Sequence, residues 1–481
     1  VMLDFTTPDP VALHARLRPD ALACLDLATG KKWTYTALDA DIERAVAVLR
    51  AKGVTEGDRV AVLARNSGWQ VVMQQALIRM GGIFVPLNWR LSEPEIDILL
   101  ADCAPKELYR DMAGFAEAVE LAVPGDRCTP RSQSETCTIL YTSGTSGSPK
   151  GAMLSASCLL ATAVNFGVLG EVDSNSVFLC DTPIFHVIGL VTQIWPALLR
   201  GGTCMISAGF DPELTNTRLA DPELRVTHYF CVPQMAEGLR HARNFAPDRW
   251  ALKALFTGGA PNPAAHIHWW LDRGVAMVDG YGMTECGTIL GMPLSARIVR
   301  EKAGAVGLPG PLTRVRLVDE DGREVPHGAE GEVLVHGPNV IRGYWNREDS
   351  ALGADGWLRT GDVGRADIDG YITIVDRRKD MFISGGENVY PVEIESVMAS
   401  HPAIREVAVI GVPDSRWGEV GRAFVVLVPG KSIAENELAQ HCETSLARYK
   451  IPKTFVTVDA LPRTASGKVM KHILRDEFLT A

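Results

Sequence analysis

The run Tyr141-Thr142-Ser143-Gly144-Thr145-Ser146-Gly147-Ser148-Pro149-Lys150-Gly151 gathers five hydroxyl side chains beyond the tyrosine, three glycines and one lysine into eleven positions. Glycines let a backbone close on a ligand, and amide and hydroxyl donors then converge on an anion. Lys150 adds a compact positive charge, so a polyphosphate is the natural guest. The order is not that of a Walker A loop, which needs Gly-Lys-Ser/Thr after its spacer; here Pro149 precedes the lysine and Gly151 follows it. A flexible Gly/Ser linker is the bland alternative. Pro149-Lys150 and the apolar flank Thr138-Ile139-Leu140 argue against it, and a helix-like segment is expected after the loop.

Two further segments carry polar chemistry at the ends of apolar runs. Leu255-Phe256-Thr257 leads into Gly258-Gly259-Ala260-Pro261, and Ala276-Met277-Val278-Asp279 leads into Gly280-Tyr281-Gly282-Met283-Thr284-Glu285. Both read as strand ends opening into glycine turns, the place where ligands sit in α/β sheets.

The elements that must position these residues are legible from periodicity. Thr36 is expected to cap a helix carrying Leu38, Ile42, Ala45 and Leu49 on one face, with Gly53 ending it. Arg59 to Leu63 reads as a buried strand, Ser67 to Met80 as a helix stopped by Gly81-Gly82, and Ile83 to Pro86 as the next strand. Ser92-Glu93-Pro94-Glu95 is a capping box with proline in the first turn. This alternation implies parallel sheet flanked by helices. From Gly304 to Tyr371 short strands alternate with turns at Asp321-Gly322, Asp355-Gly356 and Asp369-Gly370, which implies an antiparallel or barrel-like subdomain. The charge cluster Asp376 to Asp380 separates two apolar strands and marks a boundary. Beyond it, helices at Val392–Ser400 and Glu435–Leu446 and a strand at Val407–Val412 suffice for a small α+β domain.

A chain of 481 residues exceeds one ordinary core, so two or three folding units are expected. Its net charge of −10 argues against non-specific nucleic-acid binding. Near the C-terminus, Arg448, Lys450, Lys453, Arg463, Lys468, Lys471 and Arg475 outnumber local acids, which suggests a small anionic ligand there or an ordinary solvated surface. Ten cysteines without a C-x-x-C pair argue against zinc and disulfides and for a reducing cytoplasm. Gln74-Gln75 and Arg79 interrupt the best apolar run, so no integral membrane segment is expected, and no stretch reads as a signal peptide.

With these pieces in view, the chain resembles the adenylate-forming superfamily, in its acyl-CoA synthetase branch of fatty-acid and 4-coumarate-type ligases. The resemblance rests on five motifs in order: the loop at 142–151, Gly280 to Glu285, Trp357-Leu358-Arg359-Thr360-Gly361-Asp362, Asp376 to Glu395, and Pro462-Arg463-Thr464-Ala465-Ser466-Gly467-Lys468. It implies an α/β fold: a large N-terminal domain (1–378) with a β-rich subdomain near 304–376, and a small mobile α+β domain (379–481) hinged at Lys379. It implies that Thr142, Ser143, Gly144, Thr145, Ser146, Gly147 and Lys150 hold the ATP phosphates. Tyr281 would stack on adenine within a wall of Gly258, Gly259, Ala260, Asp279, Gly280, Gly282 and Met283. Thr284 would donate to the α-phosphate, Glu285 would help hold Mg²⁺, Asp362 would take the ribose hydroxyls, and Arg377 would contact ribose or phosphate. Lys468 would shield the meeting of carboxylate and α-phosphate. In a second half-reaction the turn Gly385-Gly386-Glu387 would line the path of CoA.

The same resemblance places Phe185-His186-Val187-Ile188-Gly189 and Phe230 to Met235 beside the acyl pocket, mostly apolar, as a hydrophobic carboxylic acid requires. His186 is either a gating side chain or a packed, hydrogen-bonded histidine. Histidine here, where amino-acid-activating relatives usually have Asp, argues against an amino-acid substrate. The expected activity is therefore ATP-dependent acyl-CoA ligation through acyl-AMP. The alternatives are delivery to the phosphopantetheine of a carrier protein and a catalytically inactive nucleotide-binding regulator. An oligomer is compatible with all three.

Overall fold

The computed structural model describes residues 9–479 apart from 126–127, 129–131, 133, 143–148, 261, 349–350, 378–379, 385–386, 415–416, 447 and 465–466. Two parallel-rich sheets form the body. The smaller runs in the order Glu107–Tyr109, Arg59–Val62, Ile83–Pro86, Thr136–Thr142, Lys150–Ser155, with only the last strand antiparallel. The larger has nine strands. Its parallel part runs Met277–Met283, Ala254–Thr257, His228–Cys231, Val177–Cys180, Thr203–Ile206, Leu22–Asp26. Gly287–Gly291 and Leu308–Pro309 extend one edge in antiparallel fashion.

Helix boundaries follow local chemistry. The first long helix is Tyr35–Ala51, and its cap is Thr34, whose hydroxyl accepts from the Ala37 amide. The expected start at Thr36 is two residues late because Thr34 already has the extended backbone and the free hydroxyl that a cap needs. Ser67 caps Gly68–Met80, and Gly81 ends that helix in the left-handed conformation (φ 78°). At Ser92 the Glu95 carboxylate accepts from both the Ser92 amide (2.8 Å) and its hydroxyl (2.6 Å).

The β-rich segment is a four-stranded antiparallel sheet, Arg314–Val318, Glu330–His336, Leu358–Ala366, Ile372–Arg377. After it, the long ladder Ile404–Asp414 with Gly418–Leu427 organises the C-terminal part. Alternate residues of this ladder face opposite ways. Val409, Ala423 and Val425 pack with Phe382, Ile394, Met398, Leu438 and Cys442. Ala408, Ile410, Phe424 and Val426 pack with Leu461 and Leu474 on the other side. Residues 382–474 thus carry cores of their own, apart from the large core that unites the two parallel sheets around Trp33, Trp195 and Trp270.

Most of the C-terminal basic residues are spoken for. Lys450 pairs with Glu393 (2.7 Å), Arg463 with Glu406 (2.6 Å), Lys471 with Glu395 (2.9 Å) and Arg475 with Asp380 (3.1 Å). Four of the seven residues of that patch are thus in intramolecular ion pairs, and Lys468 borders a cleft of the larger body. All ten cysteines are free thiols. Among the described residues, no helix is long and apolar enough to cross a membrane.

Candidate active site

The arms of the hydroxyl-rich loop are held rigidly. Thr142 ends one strand directly opposite Lys150, which begins the next. Ser143, Gly144, Thr145, Ser146 and Gly147 lie outside the described residues. The segment after the loop is a strand, Lys150–Ser155, and the helix expected there starts only at Ala156. Gly151 explains the difference. A Cβ there would stand 2.9 Å from Ile139 and 3.3 Å from Trp345, and its carbonyl accepts from the Trp345 amide at 2.8 Å. The returning arm is held between the strand Thr136–Thr142 and the segment around Tyr344 and has no room to coil.

Lys150 lies over the ring of Tyr344, with Nζ 5.2 Å from the centroid. The Tyr344 hydroxyl donates to Glu285 Oε1 at 3.0 Å. One tyrosine therefore joins the phosphate-loop lysine to the expected metal carboxylate, and nothing in the spacing of Gly343-Tyr344-Trp345 announced it. Glu285 is nearly buried. A single carboxylate beside a phosphate site offers the hard oxygen donor that Mg²⁺ takes together with phosphate oxygens.

The wall expected to face the nucleotide forms where Met277–Met283 changes partners. Its first residues pair in parallel with Ala254–Thr257, and Gly280 to Met283 pair antiparallel with Gly287–Gly291. The glycine turn expected after Asp279 is thus continuing strand. It reads as a turn because the glycines are there for clearance: a Cβ on Gly282 would stand 2.2 Å from the Gly287 carbonyl oxygen, and one on Gly258 2.8 Å from that of Gly280. Gly259 turns the chain away with φ 80°. Ala260 follows it, half-buried and off the cavity wall.

Asp279 is buried, and burial pushes its carboxyl up to about 7 despite hydrogen bonds from the Thr257 hydroxyl (3.1 Å) and the Gly280 amide (3.0 Å). Tyr281 lines the cavity, and its hydroxyl donates to Asp362. Asp362 stands behind that wall and faces Arg377 across the Leu358–Ala366 and Ile372–Arg377 pair. The side chains of Arg377 and Glu387 lie outside the described part, as do Lys379, Gly385 and Gly386. Glu387 pairs with Ser384 across the short hairpin that holds this turn.

Thr142, His186, Gly258, Gly259, Asp279, Tyr281, Thr284 and Lys468 border one cleft of roughly 1070 Å³, the open solvent at its mouth included. Lys468 arrives there on a turn from the C-terminal part. Its amide bonds the Thr464 hydroxyl (3.1 Å), Arg463 donates to the Gly467 carbonyl (2.6 Å), and Gly467 sits against Gln234 of the larger body. His186 packs on Phe185, and its sealed Nε2 has no hydrogen-bond partner among the described residues. Burial, with Lys468 and then Arg90 nearby, takes the ring down to about 4, so it is neutral at pH 7.

The same cleft is also bordered by the apolar rings of Phe166, Phe230 and Phe256. Ile188–Ile194 is a π-helix, a form that recurs at functional sites, and it turns both Ile188 and Thr192 onto the cavity. Phe166, Thr192 and Thr288 were not singled out from sequence. Their strand and helix faces look like ordinary core, and only the tertiary arrangement shows that they border a space.

Residues 11–345 match the AMP-binding enzyme family and residues 393–468 match the AMP-binding enzyme C-terminal domain. The chain is 41% identical over 483 aligned residues to a feruloyl-CoA synthase of an Amycolatopsis species, covering 97% of each chain. It is 39% identical to an indoleacetate–CoA ligase of Aromatoleum aromaticum, covering 96% of each. Among solved structures, ATP-bound MatB from Rhodopseudomonas palustris superposes with a TM-score of 0.89 at 32% identity, over 97% of this chain and 99% of that one. A cleft at the strand ends, a lysine from the C-terminal part bordering it and relatives named as CoA ligases along nearly the whole length converge: the chain belongs to the AMP-binding enzyme family, in its ATP-dependent acyl-CoA ligase branch.

Proposed function

We propose that the cleft activates a hydrophobic carboxylic acid and that its residues divide the work as follows. The acid's carboxylate oxygen attacks the α-phosphorus of ATP, the bond to the β-phosphate oxygen breaks, and pyrophosphate leaves. Two anionic reactants must meet, and Lys468 lowers their repulsion. The loop 142–151 with Lys150 cradles the departing phosphates, and Thr284 donates to the α-phosphate. Glu285 would hold Mg²⁺, which when bound would neutralise charge on the pyrophosphate leaving group. Tyr281 offers adenine an aromatic face, and Asp279 offers its exocyclic amine an acceptor. Asp362 and Arg377 serve the ribose side. Neutral His186 closes the acyl pocket without adding charge.

In the second step the CoA sulfur attacks the acyl carbonyl, its thiol proton leaves, and AMP departs. One cleft serves both steps if the boundary at 378/379 marks a hinge at Lys379, so that Lys468 withdraws and the Gly385-Gly386-Glu387 turn approaches. The relatives named for feruloyl and indoleacetate substrates accord with an apolar, ring-lined pocket.

The observation that carries this reading is Lys468 bordering the same cleft as Tyr281 and Thr284. The test is Lys468→Ala assayed on each half-reaction. Acid-dependent pyrophosphate release should fall at least about a hundredfold, the scale of losing one preorganised charge partner, while supplied acyl-adenylate is still converted to thioester with CoA. Equal loss of both steps refutes the assignment.

A further inference from the structure

Arg463 is the hub of the turn that carries Lys468. The turn is a short hairpin: Arg463 bridges to Val469, the Thr464 amide donates to the Lys468 carbonyl at 2.8 Å, and the Met470 amide donates to the Pro462 carbonyl at 2.8 Å. Across its tip, Arg463 Nη1 donates to the Gly467 carbonyl at 2.6 Å. Arg463 Nη2 donates to Glu406 Oε2 at 2.6 Å, on the long C-terminal ladder. One guanidinium therefore fixes both the shape of the turn and its seat on its own part of the chain.

Its third contact leaves that part. Gln234 is the second residue of the helix Pro233–His241 in the larger body. Its side-chain oxygen accepts from Arg463 Nε at 2.6 Å and from both Nη atoms at 2.7 Å. The opposite orientation of the amide would set its NH₂ against a group that only donates. The approach is close: a Cβ on Gly467, whose φ is 85°, would stand 2.7 Å from the end of the Gln234 side chain. Gln234 itself lies outside the cleft lining, whereas Lys468 is part of it.

Resting on the reading above, in which Lys468 withdraws between half-reactions, we propose that Gln234 is a positioning residue that holds Lys468 at the cleft through Arg463 and so sets the balance between the two half-reactions. Gln234 touches no reacting atom. Its bond to a guanidinium is charge-assisted, stronger than one between neutral groups. The bond exists while the turn is seated and is exchanged for water when the turn leaves. A contact made in one arrangement and not in the other is what shifts an equilibrium. The first half-reaction scales with the seated population and the second with the withdrawn one, so the ratio of their rates follows that equilibrium whichever arrangement predominates.

The experiment measures that ratio in single turnovers: pyrophosphate release with ATP, Mg²⁺ and acid, against thioester formation from supplied acyl-adenylate and CoA. The acid, with its adenylate, is whichever of 4-hydroxycinnamate, cinnamate and decanoate the natural chain adenylates fastest. The variants of the full chain are Gln234→Met, Gln234→Glu, Arg463→Met and the double Gln234→Met/Arg463→Met. Gln234→Met keeps the length of the side chain and removes the acceptor, and the ratio should fall roughly tenfold, the scale of one hydrogen bond to a charged group. Gln234→Glu keeps an acceptor oxygen and should hold the ratio at or above that of the natural chain. On the Arg463→Met background, Gln234→Met should change the ratio by less than about twofold, because its partner is gone. Both steps are read on one preparation, so loss of folded protein cancels. An unchanged ratio in Gln234→Met, a tenfold fall in Gln234→Glu as well, or an equal fall on the Arg463→Met background overturns the proposal and leaves the ligase reading standing. Failure of every acid to release pyrophosphate overturns both.

Discussion

The Tyr281 hydroxyl donates to Asp362 Oδ2 at 2.5 Å, tying the cleft-lining strand of the large sheet to the antiparallel sheet behind it. Asp362 is buried and Tyr281 half-buried; burial, then the neighbouring carboxylate, pushes the phenol well above its ordinary range, so it remains a donor at every working pH. The bond fixes the ring that is proposed to face adenine and the carboxylate proposed to take ribose in one geometry. Tyr281→Phe keeps the ring and removes the tether. It should raise the KM for ATP by roughly tenfold, the value of one hydrogen bond to a charged group, with a smaller effect on the acid's KM. An unchanged ATP KM would show that the tether does not position the nucleotide.

Tyr344 makes a parallel link between Lys150 and Glu285. Removing its hydroxyl leaves Glu285 Oε1 without that donor and frees the carboxylate to rotate. Tyr344→Phe should therefore shift the Mg²⁺ titration of pyrophosphate release to higher concentration by a few-fold, in the same direction as Glu285→Ala but less far, since supporting partners of a metal ligand count for less than the ligand. Coincident titrations for Tyr344→Phe and the natural chain would remove Tyr344 from this role.

Much of this site was readable as residues and little of it as contacts. The loop 142–151, Thr284, Glu285 and Lys468 stand out because their types are improbable as plain structure. Tyr344, Thr192, Thr288 and Phe166 do not, because a tyrosine or threonine on a half-buried face is compatible with any core. The misread turn at Gly280 has the same origin: glycine marks both a turn and a close backbone approach, and only the neighbouring strand, with its Gly287 carbonyl 2.2 Å from where a Gly282 Cβ would sit, distinguishes them. Sequence alone likewise could not separate the C-terminal basic residues that pair with Glu393, Glu395, Glu406 and Asp380 across the fold from Lys468, which borders the cleft.

Titration of three buried groups should give the stability an asymmetric pH profile. His186 and His228 both fall from 6.5 to about 4 through burial. His228 is also sandwiched by Phe178 and Phe256 and bonds the Gly170 carbonyl at 2.8 Å. Between pH 4 and 6.5 the unfolded chain holds more protons on these rings, so they make stability drop as pH falls through that window. Asp279 works in the opposite sense: raised from 3.8 to about 7, it holds its proton in the fold, and its contribution is lost as pH rises toward 7. Over most of that window Asp279 offsets part of the histidine effect, so Asp279→Asn should steepen the rise of the denaturant midpoint with pH between about 4 and 7. If an amine of the purine donates to Asp279, ATP binding near pH 7 should also release protons, seen as buffer-dependent binding heats that vanish in Asp279→Asn. Proton uptake on binding would contradict that contact.

Gly287 holds the acyl wall against the helix Ala156–Leu169. Its φ is 57°, and a Cβ there would stand 2.0 Å from Thr162 Oγ1 and 2.8 Å from Thr162 Cγ2. Gly287→Ala therefore combines backbone strain with a collision against a side chain that is buried and has nowhere to go. The loss of stability should be about 2–4 kcal/mol, the sum of those two mechanisms. Thr162→Ala removes the two nearest atoms but leaves the strain and a remaining 2.9 Å approach to its Cβ. The double variant should then be more stable than Gly287→Ala alone yet less stable than Thr162→Ala, a positive coupling readable in a double-mutant cycle by chemical denaturation. Additive effects would mean that the strand moves off the helix as a unit, and the acyl wall would then be set by something other than this contact.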